Sequence, residues 1–301
     1  MPTPSELLAQ RLDRIETIPN RFIVKTGATQ AELFSELLVV LEQLGLSSGG
    51  QLTLSAANLE RVDGLLNEYY QRVRQGSYGS LVSGFMRQID EQKRIADEFF
   101  NLEFSATAGA QSAAVFNQSR QKALRQLIGD DFKTGFINVI RDQVIGSVEA
   151  KASFTQLRGD LFGLFTDTDQ RLGVLHNWTS QVSRDLFSVA DRSYNNAVGE
   201  ELALQFIQYA GGLVTDSRPF CVERDNKFYH IKEVQSWAKL DWQGKYRRTT
   251  KSNIKDWLGG YNCMHTPAFR SLANVPPEVI RRNIDNGNFT PTNRERELLG
   301  L

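Results

Sequence analysis

Apolar residues recur along the first two hundred positions of this chain at intervals of three and four, the spacing that gathers them on one face of a helix. In TQAELFSELLVVLEQLG, residues 29–45, Leu33, Leu37, Leu41 and Leu44 form one such stripe. Thr29 and Glu32 have capping-box spacing, and Gly45 is placed to end the helix. The same period runs through NLERVDGLLNEYYQRVR (58–74), SYGSLVSGFMRQIDEQKRIADEFF (77–100), DDFKTGFINVIRDQVIGSVEA (130–150) and LGVLHNWTSQVSRDLFSVADRSYNNAVGEELALQFIQYA (172–210). Proline is absent from 20 to 218. It costs about 3 kcal/mol in a helix interior, so its absence fits a region of six to nine helices, several of them long.

After Ala210 the pattern changes to short alternating runs with glycine, proline, aromatic and β-branched residues, as in GGLVTDSRPFCVERDNKFYHI. The fold class predicted is mainly α: a helical assembly region over 1–184, a small α+β module over 185–272, and an extended C-terminal arm over 273–301. The helical stripes can bury a core within one chain or pack on neighbouring subunits.

Composition narrows the function classes. Thirty-five basic residues balance thirty-five acidic ones, so any contact with nucleic acid must come from a local patch. The longest apolar run, LLVVLEQLGL, carries Glu42 and Gln43, so no membrane span is expected. The amphipathic start does not read as a signal peptide, which points to synthesis and assembly in the cytosol. Two cysteines cannot form a disulfide framework. Phosphate-loop, GxSxG and HExxH signatures are missing, which removes the usual marks of several enzyme classes.

Both cysteines and two of the three histidines lie in the C-terminal module. If RPFCVERDNKFYHI is a hairpin turning at Asp225 and Asn226, Cys221 stands opposite His230; a three-residue loop would turn His230 to the other face. Cys263 and His265 are two apart and share a face if NCMHT is extended. Cys221, His230, Cys263 and His265 together make a Cys2His2 set, the donor chemistry of a closed structural zinc site. The competing readings are buried apolar cysteines with a strand histidine, and a Cys221–Cys263 disulfide. His176 falls in a helical pattern and reads as a packing histidine.

The run DRSYNNAVGEELALQFIQYAGGLVTDSRPFCVERDNKFYHIKEVQSWA, followed by GGYNCMH, resembles the Mu F-like minor head protein domain of tailed bacteriophages, the phage head morphogenesis domain. In that family an arginine-bearing helix leads into an Asp-Ser-Arg and cysteine motif, and an Asn-Cys-x-Cys or Asn-Cys-x-His segment closes the module. Arg192, Asp216, Ser217, Arg218, Cys221, Asn262, Cys263 and His265 match that order. Where many members carry His-Pro before the Asn-Cys pair, this chain has Gly260 and Tyr261, so His230 would have to replace that histidine as a ligand. The resemblance covers about residues 185–270. It implies a virion structural protein at the portal vertex or capsid interior, in contact with the portal or major capsid protein, oligomeric in the particle, acting in head assembly or genome delivery and not as an enzyme. Asp216 and Arg218 also admit a purely structural reading, Asp216 accepting backbone N–H groups and Arg218 pairing with it.

Two further readings concern DNA. KYRRTTKSNIK groups Lys245, Arg247, Arg248, Lys251 and Lys255 between Trp242 and Trp257, a pattern suited to phosphate contact and base stacking near packaged genome, or to a solvated loop. The enzyme alternative is a metal-dependent nuclease, with His230 as base, Asn262 orienting it, His265 holding a divalent ion, and Asp225 or Asp241 supplying a carboxylate.

Overall fold

A computed structural model describes residues 2–300. The chain is mainly helical, with one small antiparallel sheet near its C-terminus. The periodic segments form α1 (Pro4–Leu41), α2 (Ala56–Gln75), α3 (Ser77–Phe104), the pair α5 (Asp130–Phe132) and α6 (Asn138–Glu149), and α8 (Val174–Glu201), while α4 (Ala110–Ile128) and α7 (Phe154–Phe165) lie outside them. A π-helical turn, Lys133–Ile137, links α5 to α6. No helix among the described residues is long and apolar enough to cross a membrane.

Leu33, Leu37, Leu41 and Leu44 are buried, as their stripe requires. The capping box expected at Thr29 is not used. Buried Leu7, Leu8, Ile15, Phe22 and Ile23 extend the apolar face upstream, so α1 begins at Pro4, and the Thr29 hydroxyl donates to the Thr26 carbonyl (2.9 Å) inside it. Pro19 also lies within α1.

Packing divides the described residues into two units, one drawn from 1–17, 88–120 and 184–301, the other from 18–87 and 121–183. In the second unit Phe132 stacks on Tyr78 and meets Phe136 at a tilt of 36°, with both centroid separations 5.1 Å. The Tyr78 and Tyr70 hydroxyls donate to the Leu127 and Ile128 carbonyls (2.6 and 2.8 Å), groups that α4 leaves unpaired at its end. His176, read as a packing histidine, belongs to this unit, is half-buried and shares a hydrogen bond with Asp167 (2.7 Å).

The first unit contains the sheet. The helical pattern predicted through Ala210 stops early: Ala203 adopts a left-handed φ of 51°, and the Leu204 N–H closes on the Gly199 carbonyl (2.8 Å). The chain then enters β1 (Phe206–Ala210), followed by α9 (Pro219–Arg224), β2 (Phe228–His230), α10 (Ile231–Ser236), α11 (Ile254–Trp257) and β3 (Thr266–Phe269). Strand order is β2-β1-β3, antiparallel throughout, with Phe206 opposite His230 and Ala210 opposite Thr266.

The segment expected to be an extended arm is folded. It forms α12 (Pro277–Asp285) and α13 (Asn293–Leu299), and buries Val275, Val279, Ile280 and Phe289 against Phe206. Its prolines sit where helices tolerate them, with Pro277 opening α12, so the Pro/Asn/Gly content marks helix boundaries and not an unstructured tail.

Candidate metal centre

The cysteine–histidine segment is built on β1 and the helix that precedes it. Arg192 of α8 is wholly buried and donates through Nη1 to the carbonyls of Cys263 (2.9 Å) and His265 (3.1 Å), while its Nη2 reaches Ser188 Oγ. Beside it, Asp191 accepts from Arg11, Gln92, Asn195 and Thr266, all buried. One helical turn thus fixes both ends of the 263–266 segment through charge-assisted hydrogen bonds.

The hairpin expected around Asp225 and Asn226 does not form from Cys221. Pro219 occupies the first turn of a helix, α9, and Cys221 lies on it. Asn226 does take the positive φ anticipated (58°), and its N–H bonds to the Tyr209 carbonyl (2.8 Å), steering the chain into β2.

Cys221, Cys263 and His265 converge. Their ligand atoms lie within 4.8 Å of one another, all three residues are buried, and both thiols are free. A tetrahedral zinc, with bonds of about 2.3 Å to sulfur and 2.0–2.1 Å to nitrogen, separates its donors by roughly 3.4–3.8 Å. Cys263 Sγ stands 3.8 Å from His265 Nδ1, and the Tyr209 hydroxyl stands 3.4 Å from Cys221 Sγ and 3.8 Å from Cys263 Sγ. These residues fit a metal ion: soft donors, closely spaced, in a dry site. Asp225 holds the far nitrogen of the imidazole, Nε2, at 2.9 Å, which turns Nδ1 toward the thiols.

Two glycines leave the room. A Cβ at Gly259 would come 2.4 Å from Cys221 Sγ and 2.9 Å from Cys263 Sγ, and one at Gly211 would come 2.5 Å from the His265 ring. Hydrogen bonding to Cys263 and burial push the Cys221 thiol up; the bond from Cys221, with His265 and Arg192 nearby, pulls Cys263 down despite its burial. Burial works against the His265 charge, but Cys263 and Asp225 outweigh it and raise its pKa.

His230, expected as the fourth ligand, is elsewhere. It pairs with Phe206 at one end of β1, whereas Thr266, next to His265, pairs with Ala210 at the other. At about 3.4 Å per residue, four residues of strand put roughly 14 Å between those ends. His230 instead caps α10: Nδ1 accepts from the Lys232 N–H (3.1 Å) and Nε2 faces Gln205 Oε1 (3.0 Å). The same separation keeps His230 from serving with His265 as the base of a nuclease site. Asn262 is exposed, with a left-handed φ of 55°, and donates its N–H to Asp185 (2.7 Å).

The remaining motif residues shape loops. Asp216 is exposed, and Ser217 Oγ accepts from the Val214 N–H (2.7 Å). Arg218 donates to the Tyr261 carbonyl (2.8 Å), and the anticipated Arg218–Asp216 pair is not among the ion pairs of the described residues. Gly260 has φ 96°, and a Cβ there would meet the Gly244 carbonyl oxygen, so the Gly-Tyr pair that departs from the family pattern serves a tight backbone crossing.

Of the five clustered cations, only Arg247, Arg248 and Lys251 are exposed. Lys255 is buried against Glu200, and Lys245 Nζ donates to the carbonyls of Ala238 (2.9 Å) and Leu240 (2.5 Å). Trp242 stacks on Phe220 (4.0 Å) and Trp257 on Tyr246 (3.8 Å), so each offers at most one face to a base. Asp241 is exposed. Tyr209 gave no sequence signal because it fell within a run read as helix.

Comparison with protein-family models, with curated proteins and with solved structures gave no match.

Proposed function

We propose that this chain is a structural protein of a phage head, a minor head protein acting at the portal or inner capsid, and that Cys221, Cys263 and His265 bind zinc as a clip that holds its C-terminal lobe. The observation that carries this reading is convergence. Arg192, Cys221, Cys263 and His265, distant in sequence and members of the motif set behind the resemblance, meet at one buried point.

When bound, zinc would cross-link α9 to the segment leading into β3 and stabilise the lobe directly. The Tyr209 hydroxyl is the fourth donor at ligand-like spacing. A shell of Cys221, Cys263, His265 and Tyr209 is closed, which suits structure and not turnover. The chain's own residues supply the rest: Arg192 locks the backbone of the ligand segment, Asp225 fixes the imidazole, and Gly259 and Gly211 admit the thiols and ring.

Two measurements test this. Cys263→Ser should lose zinc and melting temperature together. A portal gene is expected immediately upstream, and its product, co-expressed with this chain, should co-purify with it; no complex with portal or major capsid protein would end the head-assembly reading.

A further inference from the structure

Helices α4, α8 and α11 enclose a cleft of about 300 Å³ that shares no residue with the metal centre. Its deep side is formed by Asn196, Lys255 and Asp256, and its mouth by Gln111, Gln118 and Ser119. The volume lies at the small end of the roughly 300–1,000 Å³ of ligand sites, room for one side chain or a compact ion.

The deep side is polar and incompletely satisfied. Asn196 is only 5% exposed, and its Nδ2 donates to Asp256 Oδ1 (2.7 Å). That contact fixes the amide orientation and leaves Asn196 Oδ1 buried without a hydrogen-bond partner. Buried acceptors are rarely left in that state. Lys255 pairs directly with Glu200, while no ion pair of the described residues includes Asp256. Burial raises the Asp256 pKa, against the hydrogen bonds from Asn196 and Ser193 and the charges of Arg192 and Lys255.

We infer that this cleft binds a guanidinium group, with the Asp256 carboxylate and Asn196 Oδ1 accepting from its planar donors. A cation in the cleft supplies the direct ion-pair partner Asp256 lacks, and its N–H groups supply the partner Asn196 lacks. Guanidinium suits the cleft better than ammonium because it is less strongly hydrated and presents several donors in one plane. The hydroxyl and amide groups at the mouth would receive the remaining N–H groups. The guanidinium belongs either to an arginine side chain of a partner protein or to a free small molecule.

Isothermal titration of the full chain with methylguanidinium, methylammonium, and acetyl-arginine methylamide tests this. Methylguanidinium should bind at least fivefold more tightly than methylammonium, and Asp256→Asn should weaken it at least tenfold. Tighter binding of the capped arginine than of methylguanidinium would assign the source to a protein side chain; the reverse order would assign a free ligand. Ser119→Phe, which narrows the mouth without touching the buried groups, should also abolish binding, and carries the test if Asp256→Asn does not fold. Equal affinity for the two cations, or binding unaffected by Ser119→Phe, would overturn the inference. Because no metal donor is involved, Cys263→Ser protein that remains folded should bind methylguanidinium as the unaltered chain does.

Discussion

Tyr209 and Asp225 set the character of the proposed metal site, and each can be changed by a single atom or group. Asp225 meets His265 at its far nitrogen, its other oxygen accepting from Asn226, so Asp225→Asn should leave zinc stoichiometry intact while weakening affinity by about 10–100-fold, read by competition with a chromophoric chelator. Tyr209→Phe removes the oxygen lying 3.4 and 3.8 Å from the sulfurs. The ligand-field spectrum of the cobalt-loaded protein should then shift away from that of the unaltered chain; an identical spectrum would exclude Tyr209 from the shell. Arg192 acts on the backbone. Replacing it with leucine leaves the Cys263 and His265 carbonyls without their buried donor and should cost about 3 kcal/mol in denaturant unfolding. Three of the four residues of the predicted set converge, and they are legible in the sequence because thiols and imidazole are rare here and Cys263 and His265 stand two apart. His230 was misplaced because register depends on where a turn falls. The sequence permitted a hairpin at Asp225, and Pro219 started a helix instead.

At the scale of elements, His230 has a measurable role of its own as the cap of α10. Its Nδ1 must be unprotonated to accept from the Lys232 N–H, and burial, reinforced by Lys232 and only partly offset by Glu233, lowers its pKa to about 4. The unfolded chain takes up this proton near pH 6.5, so between about pH 6.5 and 4 it binds more protons than the folded one, and stability falls with decreasing pH. The contribution is fully present above pH 6.5 and amounts to at most about 3 kcal/mol once lost. Urea unfolding from pH 7 to 4 should therefore show a shallower slope in His230→Asn than in the unaltered protein; equal slopes would contradict the assignment. Helix existence and facing were readable from period alone, as the Leu33-to-Leu44 stripe shows. β1 was not, because FIQYA is short and apolar enough to continue a helix, and the residue that ends α8 is Ala203 in a left-handed conformation that its sequence does not announce. At Gly199 of α8 a Cβ would lie 2.2 Å from the Phe269 ring of β3, so Gly199→Ala should force helix and sheet apart and cost about 1–3 kcal/mol.

Across the whole molecule, the described residues group into two units, each assembled from separated stretches of chain, which no shift in composition reveals. A linear reading sees a helical first part and a mixed second part; the packing that closes each unit is set by contacts far apart in sequence, such as Asp191 with Arg11 and Thr266. The C-terminal segment is the clearest case. Val275, Val279, Ile280 and Phe289 cover Phe206 of the central strand, so deleting residues 273–301 should lower the melting temperature and promote aggregation, where an extended arm would be dispensable. In the proposed function a zinc ion held by Cys221, Cys263 and His265 joins α9 to the approach to β3. Native mass spectrometry of the purified chain, paired with melting before and after a strong chelator, tests it most directly. About one zinc per chain, removed with a large drop in melting temperature that added zinc restores, is the predicted result. A metal-free chain that melts at the same temperature with and without chelator would contradict it.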